Sequence, residues 1–288
     1  MTYLRNKELE EAIFLDGLKL ADAQVGAYRA LISTISQKPL ADASQQALAG
    51  FTHRALDLHM TAMLLAQNHP CQTGARIALR ALVETVAEVR WILAEDTDVR
   101  VHQFIRHQLA LDKRLAEAVY QNERGTPYST VGRRIVSSVL NTRTKHSAGE
   151  DFRATRQAAH WSGLGIETVF DATGISDFYR FSYVPLSANV HSSWHDFIKN
   201  RLHHDGDGQV WLNDSVGEPL CVQLIHGIVF QSAILLPDLY TFFEFESEAL
   251  QPQEMVVAAI REQIERHEKA MATERGEEWI QPNDNEPT

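Results

Sequence analysis

Only two cysteines occur in 288 residues, Cys71 and Cys221, far apart and each in an apolar run. A disulfide framework is therefore excluded, and both read as small buried hydrophobes in a reducing cytoplasm. Basic residues are outnumbered, 27 against 38 acidic, and the net charge of -11 argues against a surface that coats nucleic acid. Met1 to Glu11 carries charges of both signs and lacks the apolar stretch of a secretory signal. The most apolar run, Leu220 to Pro237, is interrupted by Gln223, His226 and Gln231. It falls short of the roughly 20 residues a membrane span needs and reads as a core helix, so no membrane partner is expected. Neither a nucleophile elbow nor a phosphate loop is present, and there is no internal repeat.

What is present is helical periodicity. Leu9, Ile13, Leu20 and Val25 mark a first helix within Asn6 to Gln37, ended by Lys38-Pro39. Leu48, Phe51, Ala55, Leu58, Ala62 and Leu65 lay one stripe along a second, Asp42 to Asn68. Pro70 opens a third, to Ala94, apolar on two sides and so expected at the centre of the fold. Asp96 or Thr97 caps a fourth, Asp98 to Asn122. Shorter helices are expected over Tyr128 to Gly149 and Asp151 to Ala159, with Trp161 to Gly165 a loop. Ser176 can cap a stretch from Asp177 to Arg201, which Pro185 must kink or restart.

Residues 203–219 are rich in Gly, Asp and Asn and read as an insertion, with Gln209 to Leu212 forming a hairpin. Glu218 to Phe245 and Pro252 to Ala272 complete the helices. The predicted fold is all-α, a multi-helix antiparallel bundle forming a single domain over 1–272, with a loose tail over 273–288.

Two polar clusters interrupt the apolar faces. Arg80 and Glu84 lie one turn apart on the second apolar side of the third helix, beside Ile77 and Trp91. A surface pair of this kind contributes about 0.3–0.5 kcal/mol, but a buried one needs further partners to offset desolvation. Tyr183, Ser187, His191 and His195 follow one another at four-residue steps, so they share a ridge if the helix continues past Pro185. The plain alternative for His191 is a hydrogen-bonded core histidine.

Arg80-x3-Glu84 followed by Tyr183-x3-Ser187-x3-His191 resembles the bacterial helical family called domain of unknown function 5677, over roughly residues 45–245. That family carries a small residue, often glycine, after the histidine, where this chain has Ser192. The resemblance singles out Arg80, Glu84, Ser187, His191 and Tyr183 and implies no particular chemistry.

Three functional readings follow. The first is a non-catalytic interaction or regulatory module in which Arg80, Glu84, Tyr183, Ser187 and His191 form a buried network that sets helix register; its partners would be other proteins or a second copy. The second is a ribonuclease of toxin or phage-defence systems, since helical bundles with an Arg and His pair resemble HEPN (higher eukaryotes and prokaryotes nucleotide-binding) domains. His191 would then move protons, Arg80 would hold the phosphate of an RNA substrate, and Glu84 could orient the histidine. An arginine separated from a histidine by four to six residues also occurs at Arg54 and His59, Arg100 and His107, Arg153 and His160, and Arg261 and His267. Chance alone yields roughly three such matches, so spacing decides nothing. The third reading is a divalent metal site on His191, His195 and His203, although no glutamate stands between the first two. No cofactor is otherwise expected.

Overall fold

A computed structural model describes residues 4–68, 71–122, 134, 137, 161–190, 202–204, 209–212, 221–245 and 251–278. The chain divides into two compact units, Met1–Ala94 with Phe170–Thr288, and Glu95–Val169.

In the first unit α1 (Lys7–Ile35), α2 (Ala43–Ala66) and α3 (Gln72–Ala94) follow one another with short connections. Their starts are chemically marked. Asn6 Oδ1 accepts from the Leu9 N–H at 3.1 Å, and Asp42 Oδ1 accepts from Gln45 N–H at 2.7 Å. Gln45 returns the bond by accepting from Ala41 N–H at 2.9 Å, so two exposed amides at the helix start are satisfied together. The contacts Leu65–Gly74 and Arg54–Thr85 show that α2 and α3 run antiparallel, as short links require.

The last two helices are α8 (Val222–Phe242) and α9 (Gln251–Arg275). Helix α8 packs on α1, α2, α3 and α9 and shares the centre of the unit with α3. Ile225, Ile228, Leu235 and Leu236 are wholly buried, each stabilising the fold by about 1.5–3 kcal/mol. Gly17 meets Ile225 where Ala27 meets Tyr240, and Leu79 meets Gly227 where Arg90 meets Asp238. Thus α8 lies parallel to both α1 and α3. The long connection between α3 and α8 permits this, because it can return the chain to the end from which it left. Two glycines allow the close approach: an added Cβ would come within 2.6 Å of Ile225 Cγ2 at Gly17, and within 2.9 Å of Leu79 Cδ2 at Gly227.

By length and composition α8 could cross a membrane, contrary to the sequence estimate: it has 21 residues and a window of mean hydropathy 1.4. Of that window 67% is buried inside the unit. Helix α9 extends to Arg275, past the expected end, and Glu274 is not part of a loose tail. Its carboxylate accepts from the backbone N–H groups of Arg5 and Asn6, at 2.5 and 2.9 Å, just before α1.

The second unit begins with α4 (Thr97–Asn122), capped by Asp96, whose Oδ1 accepts from Val99 N–H at 3.2 Å. Val101 and Leu109 are buried, Arg100 pairs with Glu95, and Phe104 meets Trp161 edge-on at 5.4 Å. Trp161 to Gly165 is non-helical as expected. A short helix, α5 (Ile166–Ala172), was not anticipated. The helices expected over 128–149 and 151–159 lie outside the described residues, apart from 134 and 137.

Beyond α5 the chain coils continuously from Ser176 to Val190: α6 (Ser176–Phe178), a π-turn (Tyr179–Tyr183) and α7 (Val184–Val190). Ser176 is the first helical residue and not the cap; Ile175 precedes it and offers no side-chain bond. The hairpin pairs β1 (Leu202–His204) with β2 (Val210–Leu212), antiparallel, with His203 opposite Trp211. Cys221 is buried, whereas Cys71 is only half-buried, and neither is in a disulfide.

Candidate functional site

The π-turn explains how the chain passes Pro185. The Val184 N–H reaches back five residues to the Tyr179 carbonyl, widening the coil just before a ring that would meet the carbonyl four residues earlier in a regular helix. The coil therefore neither breaks nor restarts at Pro185, and Tyr183 and Ser187 face α3 together.

Arg80 on α3 meets both. Its Nε donates to Ser187 Oγ at 2.9 Å and its Nη2 to the Tyr183 hydroxyl oxygen at 2.6 Å, while its Cζ lies 4.7 Å from the Tyr183 ring centroid. Nη1 lies 3.7 Å from Glu84 Oε2, one turn along α3. Ser187 in turn donates its proton to the Tyr183 carbonyl at 2.7 Å. Its oxygen therefore accepts from the guanidinium while its only proton is committed to the backbone.

Tyr183 is buried against Phe170 and stacked on Tyr179, at 5.5 and 5.6 Å between ring centroids. Burial, then the nearby Glu84 carboxylate, raises its phenol pKa above the ordinary value, opposed by Arg80. The phenol thus stays neutral at physiological pH. The network is not sealed: the Arg80 side chain is 19% exposed and that of Glu84 29%. The expected burial is only partial.

His191 and His195 lie outside the described residues, as does the side chain of His203. Among the described residues no group of three or more His, Cys, Asp or Glu side chains could hold a metal ion.

Where the arginine–histidine spacings are described, several of these side chains are held by other residues. Arg54 Nε donates to Thr85 Oγ1 at 3.1 Å, while His59 is wholly buried. His59 Nε2 lies 3.0 Å from the Ala21 carbonyl and Nδ1 2.7 Å from Ser232 Oγ. A carbonyl only accepts, so Nε2 carries the hydrogen and Nδ1 accepts from the serine. Burial lowers the His59 pKa to about 4, against which the Ala21 bond acts, so the ring is neutral. Tyr28, wholly buried, meets His59 edge-on at 6.1 Å and faces Ser232. His267 is buried against Glu10, with Nε2 3.0 Å from Oε2. Arg100 is buried on Glu95, and Arg153 and His160 lie outside the described residues.

These core networks were missed in sequence, although a signal existed: polar residues set into the apolar run of α8. Gln231, Ser232 and His226 are all buried. Arg90 and Asp238 also join α3 to α8, 3.2 Å apart; burial raises the Asp238 pKa and Arg90 opposes the shift.

Searches of the curated proteins and of the solved structures return no match. A family model does match, over residues 45–209, which is more than half of the chain but stops short of the 245 expected from the motifs. The matched range runs from the first turn of α2 to the edge of β2 and contains Arg80, Glu84, Tyr183 and Ser187. The protein belongs to the family of unknown function DUF5677.

Proposed function

We propose that this protein is a non-catalytic helical interaction or regulatory module in which Arg80 clamps α3 to the π-turn helix and so fixes the shape of the surface it presents. One observation carries the reading: Arg80 Nε and Nη2 donate to Ser187 and Tyr183 within the chain, and Nη1 stands at ion-pair distance from Glu84. An arginine that binds phosphate offers its planar fork to the ligand. Here two of its nitrogens already donate within the chain, and the adjacent Glu84 carboxylate repels an anion. Ser187 has spent its proton on a carbonyl.

The test compares wild type with Arg80→Met, which keeps the volume and removes the charge and its bonds. The expected result is a lower unfolding temperature for the variant and intact total RNA in cells expressing either protein. RNA loss with wild type that disappears in Arg80→Met at unchanged stability would overturn the reading.

A second reading, phosphodiester cleavage of the HEPN kind by Arg80 with His191, is favoured by the partial exposure of Arg80 and Glu84, which leaves solvent access to the guanidinium. His191→Ala separates it from the first: RNA cleavage by wild type that this variant lacks supports the nuclease.

A further inference from the structure

The seat of α9 is unlike the rest of the first unit. Over 25 residues α9 buries only Gln253, Ile260, His267, Met271 and Ala272, so two of its five anchors are polar. Beneath it, Glu10 of α1 and His226 of α8 are also buried, and the His226 and His267 rings meet edge-on at 6.0 Å. Glu10 Oε2 is shared between His267 Nε2 at 3.0 Å and the Leu4 N–H at 3.2 Å.

Three buried side-chain atoms of this seat have no hydrogen-bond partner, Glu10 Oε1, Gln253 Oε1 and His267 Nδ1, while His226 interacts with Gln263 of α9. Each such group carries a desolvation cost that separation from the bundle would relieve in water. The outer holds are also ionic. Glu274 binds the backbone of Arg5 and Asn6, and Arg266 lies 4.0 Å from Asp16. Leu4 is buried at the same end. Helix α9 and the segment before α1 are thus tied to each other by polar bonds and to the core by little apolar surface.

We propose that α9, with Leu4–Asn6 bound to it, is a latch that leaves the bundle as one unit on mild acidification and uncovers the Glu10 face of α1 and the His226 face of α8. The charged and titratable groups at the seat include Arg5 before α1, Glu10, Asp16 and Lys19 on α1, His226 on α8, and Arg266, His267, Glu268 and Glu274 on α9. Glu268 Oε1 stands 3.6 Å from His267 Nδ1, outside hydrogen-bond reach. Acidification favours a proton on His226, which in the closed form sits beside His267 and away from water. Burial, then the neighbouring His267, lowers the His226 pKa to about 4 against an opposing hydrogen bond with Gln263, so on balance closure of the latch disfavours that proton and opening relieves the cost.

Hydrogen exchange read by mass spectrometry on the full chain tests this, at about pH 7 and about pH 5 with correction for intrinsic rates. The expected result is that amides of Gln251–Arg275 and of residues 4–10 lose protection together, by about tenfold or more, while α2 and α3 keep theirs. Unchanged protection of α9, or simultaneous loss in α2 and α3, overturns the latch. Two variants sharpen the test. Glu10→Gln should open α9 already at neutral pH, and His226→Phe should keep it closed at the lower pH. A His226→Phe protein that folds and still opens as wild type does overturns the role of His226, and the wild-type exchange pattern decides the latch if that variant fails to fold.

Discussion

Arg80 and Ser187, 107 residues apart in the chain, are joined by a 2.9 Å bond from Nε to Oγ. The same serine passes its own proton to the Tyr183 carbonyl one turn back, so the guanidinium grips the π-turn coil through side chain and backbone at once. Removing either end leaves the other short of a partner in a half-buried setting.

Ser187→Ala should therefore cost about 0.5–1.5 kcal/mol in urea unfolding and Arg80→Met about 1–3. The double variant should lose less than the sum, because both report one contact. Strict additivity would show that the two residues do not act through each other.

The Ser232 and His59 pair offers a cleaner loss, being wholly buried. Ser232→Ala strands the His59 Nδ1 acceptor and should destabilise by about 1–3 kcal/mol. A variant within a few tenths of wild type, by chemical unfolding, would mean that the histidine finds another donor.

Stability should fall in acid, and the sign follows from two histidines. His59 and His226 are both lowered to about 4 in the fold, from 6.5. Between these values the unfolded chain takes up protons that the folded chain refuses. Their contribution is complete above about pH 6.5 and is lost as pH falls towards about 4, with a slope of up to about 1.4 kcal/mol per pH unit for each group. Urea midpoints measured at several pH values check this; a flat profile between pH 7 and 5 would sink it.

Helical glycines should divide by what stands next to them. Gly26→Ala meets nothing within 4 Å and should stabilise by about 0.5–1 kcal/mol through chain entropy. Gly17→Ala would drive Cβ against Ile225 and should destabilise by about 1–3 kcal/mol despite the same entropic gain. Thermal unfolding of the two variants side by side should show opposite shifts.

Much of this was legible in the chain. The helices α1 to α4 follow from apolar stripes at helical spacing and from Asn6, Asp42 and Asp96 at their starts, because both signals act within a few residues. Arg80 and Glu84 stood out as charges on an apolar face, and Tyr183 and Ser187 as a four-step ridge. A half-buried polar side chain must find a partner, and the partner proved to be the other cluster.

Tertiary structure decided the rest. Pro185 could have ended the helix, and only the π-turn, set against α3, carries Tyr183 and Ser187 to one guanidinium. The sequence places α8 in the core but cannot say that it runs parallel to α1 and α3, since direction depends on where a long connection returns. Nor could it tell Glu274 from tail, because the amides that Glu274 caps belong to the other end of the chain. Local periodicity determined which residues are helical and which face turns inward; long-range packing alone chose which buried polar groups would meet.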